Sequence, residues 1–177
     1  MNELPRAVKI RPLPAQMRVE ANEGERAALA RRFGIGAVLS LEAEIELEQR
    51  ARSIAATGTL EARIVQDCAV SGEPFESRLR EDIDLRFVEE LDLPEAQKDE
   101  DGEDVIEIDL DLSDADEIEY SGDTFDLGEA VAQTLGLAID PYAEGPDADA
   151  VRAKVGLDEP QRENPFAALA GLRNGGA

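Results

Sequence analysis

An α+β fold, built as an antiparallel β-sheet or a partly closed barrel with a few covering helices, follows from three features of this 177-residue chain. Successive segments alternate apolar and charged residues with period two, the pattern of strands with one buried and one wet face. Two segments carry helical apolar spacing behind capping pairs. An apolar fraction of 42%, of which little is aromatic and none is Trp, supplies an aliphatic core.

Pro5, Pro12 and Pro14 exclude a helix from residues 4–20, which read as an extended entry segment. Asn22, with Glu25 three residues on, forms a capping pair that opens a helix over 23–33. Leu29 and Phe33 share one face of that helix, and Gly34 and Gly36 stop it. From 39 to 48, Leu39, Leu41, Ala43, Ile45 and Leu47 alternate with Ser40, Glu42, Glu44, Glu46 and Glu48. Leu60, Ala62 and Ile64 repeat the pattern against Glu61 and Arg63. Leu79, Ile83, Leu85 and Phe87 do so against Arg78, Arg80, Asp82, Asp84 and Arg86. Ile106, Ile108, Leu110 and Leu112 do so against Glu107, Asp109 and Asp111.

Ser71-Gly72-Glu73-Pro74 supplies a turn between two of these strands, residues 91–104 read as an acidic loop, and a short strand lies around Ile118 to Tyr120. Asp126 and Glu129 open a second helix, whose Leu127, Ala130, Val131, Thr134, Leu135 and Ala138 face the sheet until Asp140-Pro141 ends it. Residues 143–163 read as a loose polar linker. Asn164 then caps a last short helix, with Pro165 in its first turn and Phe166, Leu169 and Leu172 as an apolar stripe. The expected organisation is one domain over 1–142 with the acidic loop inside it, followed by linker and helix over 143–177.

The charge is unevenly placed. Lys+Arg number 18 against 41 Asp+Glu, a formal net charge of -23. Between residues 89 and 129, Lys98 alone stands against 19 acids, whereas residues 1–88 carry 13 basic and 15 acidic side chains. Such a block either solubilises the chain or docks a basic partner, and it repels a phosphate backbone.

Catalytic signals are sparse. With no His, neither the usual neutral-pH base nor the commonest transition-metal ligand is present. No phosphate-binding glycine motif occurs. Glu107, Asp109 and Asp111 alternate on a strand face and lack calcium-loop spacing. The single cysteine, Cys68, excludes an intramolecular disulfide, and its neighbours Gln66, Asp67 and Glu73 give no electropositive setting to lower its pKa. One thiol, no apolar leader and no stretch near the ~18 apolar residues of a membrane span point to a cytoplasmic binding protein with no cofactor and no metal.

Three ordered patterns carry a family resemblance. The first is Val65-Gln66-Asp67-Cys68-Ala69-Val70-Ser71-Gly72-Glu73-Pro74-Phe75-Glu76. The second runs from Phe125-Asp126-Leu127-Gly128-Glu129-Ala130-Val131 to Leu137-Ala138-Ile139-Asp140-Pro141-Tyr142. The third is Glu163-Asn164-Pro165-Phe166-Ala167-Ala168-Leu169. Over roughly residues 20–172 the chain resembles the bacterial YceD family of large ribosomal RNA subunit accumulation proteins, in its alphaproteobacterial form.

The resemblance implies a ribosome biogenesis factor that supports 23S rRNA accumulation without enzymatic activity. Many members carry Cys-x-x-Cys at the hairpin, which suggests a zinc-like site; here Ser71 takes the second position, so hydrogen bonding and turn packing must replace any metal.

The candidate partner-binding residues are Cys68, Glu73, Pro74 and Phe75 at the hairpin, and Glu107, Asp109 and Asp111 in the acidic segment. Asp126, Asp140, Pro141 and Tyr142 follow, then Asn164, Pro165 and Phe166. The partner is a large-subunit precursor or a basic ribosomal protein. Charge favours protein over RNA, whose direct contact would fall to Arg6, Lys9, Arg11, Arg18, Arg26, Arg31 and Arg32 or to the Arg78, Arg80 and Arg86 face. The competing readings are an acidic chaperone or nucleic-acid mimic, and a hydrolase using carboxylate-held metal.

Overall fold

The computed structural model describes residues 2–51, 53–90 and 116–156. The chain runs β1 (Ala7–Lys9), β2 (Gln16–Glu20), α1 (Glu23–Phe33), β3 (Ala37–Gln49), β4 (Ser53–Asp67), β5 (Pro74–Glu89), β6 (Asp116–Tyr120), β7 (Thr124–Asp126), α2 (Leu127–Ala138) and α3 (Ala148–Val155). The α+β expectation holds. A five-stranded sheet has the order β2-β3-β4-β5-β6, and β1 pairs with β7 in a small second sheet. The large sheet is open, so the barrel alternative does not apply, and it is mixed: β2 to β5 are antiparallel, whereas β6 lies parallel to β5 with Leu85 opposite Asp116. Alternation identifies a strand but is blind to its direction; the long stretch between Glu89 and Asp116 permits the crossover that a parallel pair requires.

The period-two residues take the faces that their pattern dictates. Leu41, Ala43, Ile45 and Leu47 of β3, Leu60, Ala62 and Ile64 of β4, and Ile83, Leu85 and Phe87 of β5 are all buried. Leu39 is the exception. The β3–β4 register shifts between Val38 and Ser40, so Val38 turns inward and is 5% exposed while Leu39 is 40% exposed. A bulge inserts one residue and reverses the phase of everything before it. Glu81 occupies the inward phase of β5, between Leu79 and Ile83, yet it is exposed. Gly58 faces Ile45 where β3 and β4 come closest: a Cβ there would stand 2.0 Å from the Glu44 carbonyl oxygen.

The apolar face is covered by α1 against β3, by α2 against β4 and β5, and by the entry segment. In α1 the expected capping box is complete: the Asn22 side chain accepts from Glu25 N–H, and the Glu25 carboxylate accepts from Asn22 N–H. Leu29 is fully buried, and Gly34 ends the helix at φ 66°. In α2 only half of the expected box forms. Asp126 accepts from Glu129 N–H at 3.1 Å, but the Glu129 carboxylate turns instead to Arg32 of α1 at 2.7 Å. Phe125 stacks obliquely on Phe87 with ring centroids 4.3 Å apart.

The entry segment is clasped by polar contacts. Asp126 accepts from the Arg6 N–H at 3.1 Å and from the Asn2 side-chain amide, while Leu127 N–H donates to the Arg6 carbonyl. The Arg6 guanidinium grips both oxygens of Glu25 at 2.8 and 2.9 Å. Residues 143–163, expected as a loose linker, contain α3, whose Ala148 is buried. The run Ala148-Asp149-Ala150-Val151-Arg152-Ala153 favours helix, and Gly156 closes it at φ 72°. The expected strand Ile106–Leu112, the loop 91–104 and the helix beginning at Asn164 lie outside the described residues.

Two outcomes test this account. Gly58→Ala forces backbone apart inside the sheet, and chemical denaturation should show a loss of about 1–3 kcal/mol. Arg6→Ala leaves the half-hidden Glu25 carboxylate without its cation and with only the Asn22 N–H as a partner, which should cost about 1–3 kcal/mol near neutral pH. The hydrogen bond to Arg6 holds the Glu25 carboxyl below its ordinary value of 4.5. That contribution is therefore complete above about pH 4.5 and is lost as pH falls through the depressed folded value, so the gap between wild type and variant should narrow in acid.

Candidate functional site

Two of the three sequence patterns meet at one end of the sheet. The turn joining β4 to β5 is closed by Cys68 N–H to the Glu73 carbonyl at 2.9 Å and by Gly72 N–H to the Cys68 carbonyl at 2.8 Å. The loop after α2 packs on it: Ala69 N–H donates to the Ala143 carbonyl at 3.0 Å. Within that loop, Asp140 accepts from Tyr142 N–H at 2.8 Å, which bends the chain back toward the hairpin. Gly145 permits the close approach, since a Cβ there would lie 3.1 Å from the Phe75 ring and 3.4 Å from Cys68 Cβ.

Cys68 is buried at 3% exposure, with its Sγ accepting from Val70 N–H and Ser71 N–H, each at 3.4 Å. The Ser71 hydroxyl, the Ser71 and Gly145 N–H groups and then Val70 lower the thiol pKa from 9.0 to about 7, outweighing burial. The sequence shows no cation near this thiol; the shift comes from donors that only the folded turn aims at sulfur. The donor set does not fit a structural zinc: there is one thiolate, the Ser71 hydroxyl is engaged with it, and the chain has no His. Among the described residues no group of three His, Cys, Asp or Glu is placed to hold a metal ion.

The remaining candidates separate. Glu73, Pro74, Pro141 and Tyr142 are exposed around this end, with Tyr142 at 80%, and Phe75 is half-buried beneath Gly145. Asp126 is occupied in capping α2 and holding the entry segment. Glu107, Asp109, Asp111, Asn164, Pro165 and Phe166 lie outside the described residues. Ser71, Gly145 and the Arg152–Glu144 ion pair that braces α3 against the loop complete the site beyond the candidate list. The place of Ser71 three residues after Cys68, within the turn, was the available signal.

A second surface is the open face of the large sheet. Glu42, Glu44, Glu46 and Glu48 project along β3, and Asp82 and Asp84 along β5, with Thr57 and Thr59 of β4 between them. Glu42 stands directly across from Glu61, a like-charge opposition that the sheet tolerates because both are wet and each finds an arginine: Arg18 at 2.6 Å and Arg80 at 3.0 Å.

The family model described as "Large ribosomal RNA subunit accumulation protein YceD" matches residues 56–173. The chain belongs to this family. Both the Cys68 turn and the loop at Asp140 fall inside the matched region of this YceD chain, whose family role lies in accumulation of the large-subunit ribosomal RNA. No curated protein and no solved structure matches the chain. No helix among the described residues is long and apolar enough to cross a membrane.

The thiol gives a direct test. Followed by thiolate ultraviolet absorbance, Cys68 should titrate near pH 7, and Ser71→Ala should move the titration upward toward 9.0. Because the folded thiol ionises more readily than the unfolded one, its contribution to stability grows as pH rises above about 7 and is complete above about 9.0.

Proposed function

We propose that this YceD protein supports large-subunit ribosomal RNA accumulation by binding, not catalysis, and that it shields a basic ribosomal protein or precursor during assembly in the cytoplasm. The observation that carries this reading is the open sheet face. Glu42, Glu44, Glu46, Glu48, Asp82 and Asp84 form a rigid acidic field on neighbouring strands, interrupted by Arg18 and Arg80. Such a field draws cationic proteins in and raises their association rate, and its effect weakens with salt. The acidic run between residues 89 and 129 adds to the negative charge of the chain as a whole.

The catalytic alternative has less behind it. A carboxylate-metal hydrolase needs Asp and Glu converging from several elements on one ion, whereas the carboxylates of the sheet face alternate along strands and point to solvent.

Affinity capture with mass spectrometry, at low and moderate salt, tests the proposal. The wild-type chain should recover basic large-subunit proteins or precursor particles, and a Glu44→Gln, Glu46→Gln, Glu48→Gln, Asp82→Asn, Asp84→Asn variant should recover severalfold less. Unchanged recovery by the neutralised chain would sink the docking role of this face.

A further inference from the structure

The open face of the sheet is not uniformly acidic. At its end nearest the Cys68 turn, Arg63 of β4 and Arg78 of β5 are directly opposed, and Arg80 follows on the same face of β5 opposite Glu61. With Ser40 and Glu42 they line a shallow cleft of about 400 Å³. Like charges directly across an antiparallel pair work against the fold, so sheet stability supplies no reason for this arrangement.

The local carboxylates do not fully answer the guanidiniums. Arg80 holds Glu61 at 3.0 Å, and Glu42 is held by Arg18 at 2.6 Å. Arg63 holds Glu76 at 2.7 Å, and the field of Arg78 falls on that same Glu76, so two guanidiniums share one carboxylate. Arg78 is exposed and makes no hydrogen bond or ion pair to another described residue. Arg63 and Arg80 are 49% and 71% exposed in their side chains, so their surface ion pairs can exchange for another anion at little cost.

We propose that Arg63, Arg78 and Arg80 form a docking patch for the phosphate backbone of helical ribosomal RNA. Guanidiniums suit this ligand because their forked donors match phosphate oxygens. Among the described residues no aromatic ring lines this cleft, and forked donors without a stacking platform suit the backbone of a duplex better than unpaired bases. A strongly acidic chain approaches RNA best where its own field is locally relieved, and at this end of the sheet Arg63, Arg78 and Arg80 stand against Glu61 and Glu76. The choice of ribosomal RNA rests on the family's role; the site adjoins the acidic rows that receive the basic partner and meets them at Glu42. One sheet face would then hold RNA at one end and a basic protein at the other.

The test uses the full chain and a fluorescent RNA hairpin of about 16 base pairs, titrated between about 50 and 200 mM salt. Wild type should bind at the lower salt. Arg78→Glu should weaken binding at least tenfold, and Arg63→Gln and Arg80→Gln severalfold each. The slope of log K against log salt should fall by about one for each arginine removed, a readout that a purely structural role would not move.

Arg78→Gln guards against misfolding, because removing one of two opposed charges should leave the thermal midpoint unchanged or higher. The Glu46→Gln, Glu48→Gln, Asp84→Asn variant should bind the hairpin at least as well as wild type while losing the basic protein, which separates this proposal from the preceding one. No binding at the lower salt, binding indifferent to Arg78, or equal displacement by polyglutamate would overturn it.

Discussion

A sheet of long strands with a single apolar face needs a second layer, and here that layer is thin. Two helices of 11 and 12 residues and a short entry segment cover Leu41, Ile45, Leu60, Ile64, Leu85 and Phe87. The layer is held in place by three shared polar groups. Asp126 ties the start of α2 to the backbone at Arg6, Arg6 ties the entry segment to Glu25 at the start of α1, and Arg32 ties the end of α1 to Glu129 and Glu3. Asp126 also caps α2, the Glu25 held by Arg6 also completes the capping box of α1, and Arg32 is also a last-turn cation. The helices are therefore set in orientation by groups that begin and end them, while their apolar stripes supply most of the burial.

That economy explains what the sequence discloses. A strand facing water on one side must alternate, so β3, β4 and β5 are legible residue by residue, and α1 is legible from Asn22 and Glu25. Leu39 misleads because a bulge has no signature in alternation. Glu129 forms a capping pair on paper, but a long-range arginine outbids the local N–H for its carboxylate. The direction of β6 is a tertiary fact, since nothing in Asp116–Tyr120 records which way its partner runs. The α3 helix was obscured by the charged, proline-bearing stretch around it, although its alanines and Gly156 were there to read.

The candidate site divides along the same line. Only a family likeness pointed to Cys68 and Asp140-Pro141-Tyr142 in the sequence, and it did not say that they meet; the contact between their loops depends on Gly145 and on the Ala69–Ala143 hydrogen bond. Ser71 illustrates how a hydroxyl can hold a turn in shape. Its Oγ bonds the Cys68 sulfur on one side and accepts from Glu73 N–H at 3.2 Å on the other, so one small side chain bridges the two ends of the turn. Hydrogen bonds of this kind are short-ranged and directional, which is why no count of nearby charges in the sequence anticipates a softened thiol.

Glu81 has a consequence for how the protein behaves in a crowded solution. Among the described residues β5 is paired on its outer side only over Leu85–Glu89, where β6 runs, and no described strand pairs with the outer side of Pro74 to Asp84. An uncovered strand edge is a template for fibrillar stacking. A foreign strand annealing there would close over the inward phase of β5, and Glu81 sits in the middle of it with a charge that tolerates water and little else. A single misplaced-looking glutamate is thus a device of the kind that disfavours edge-to-edge growth of sheets.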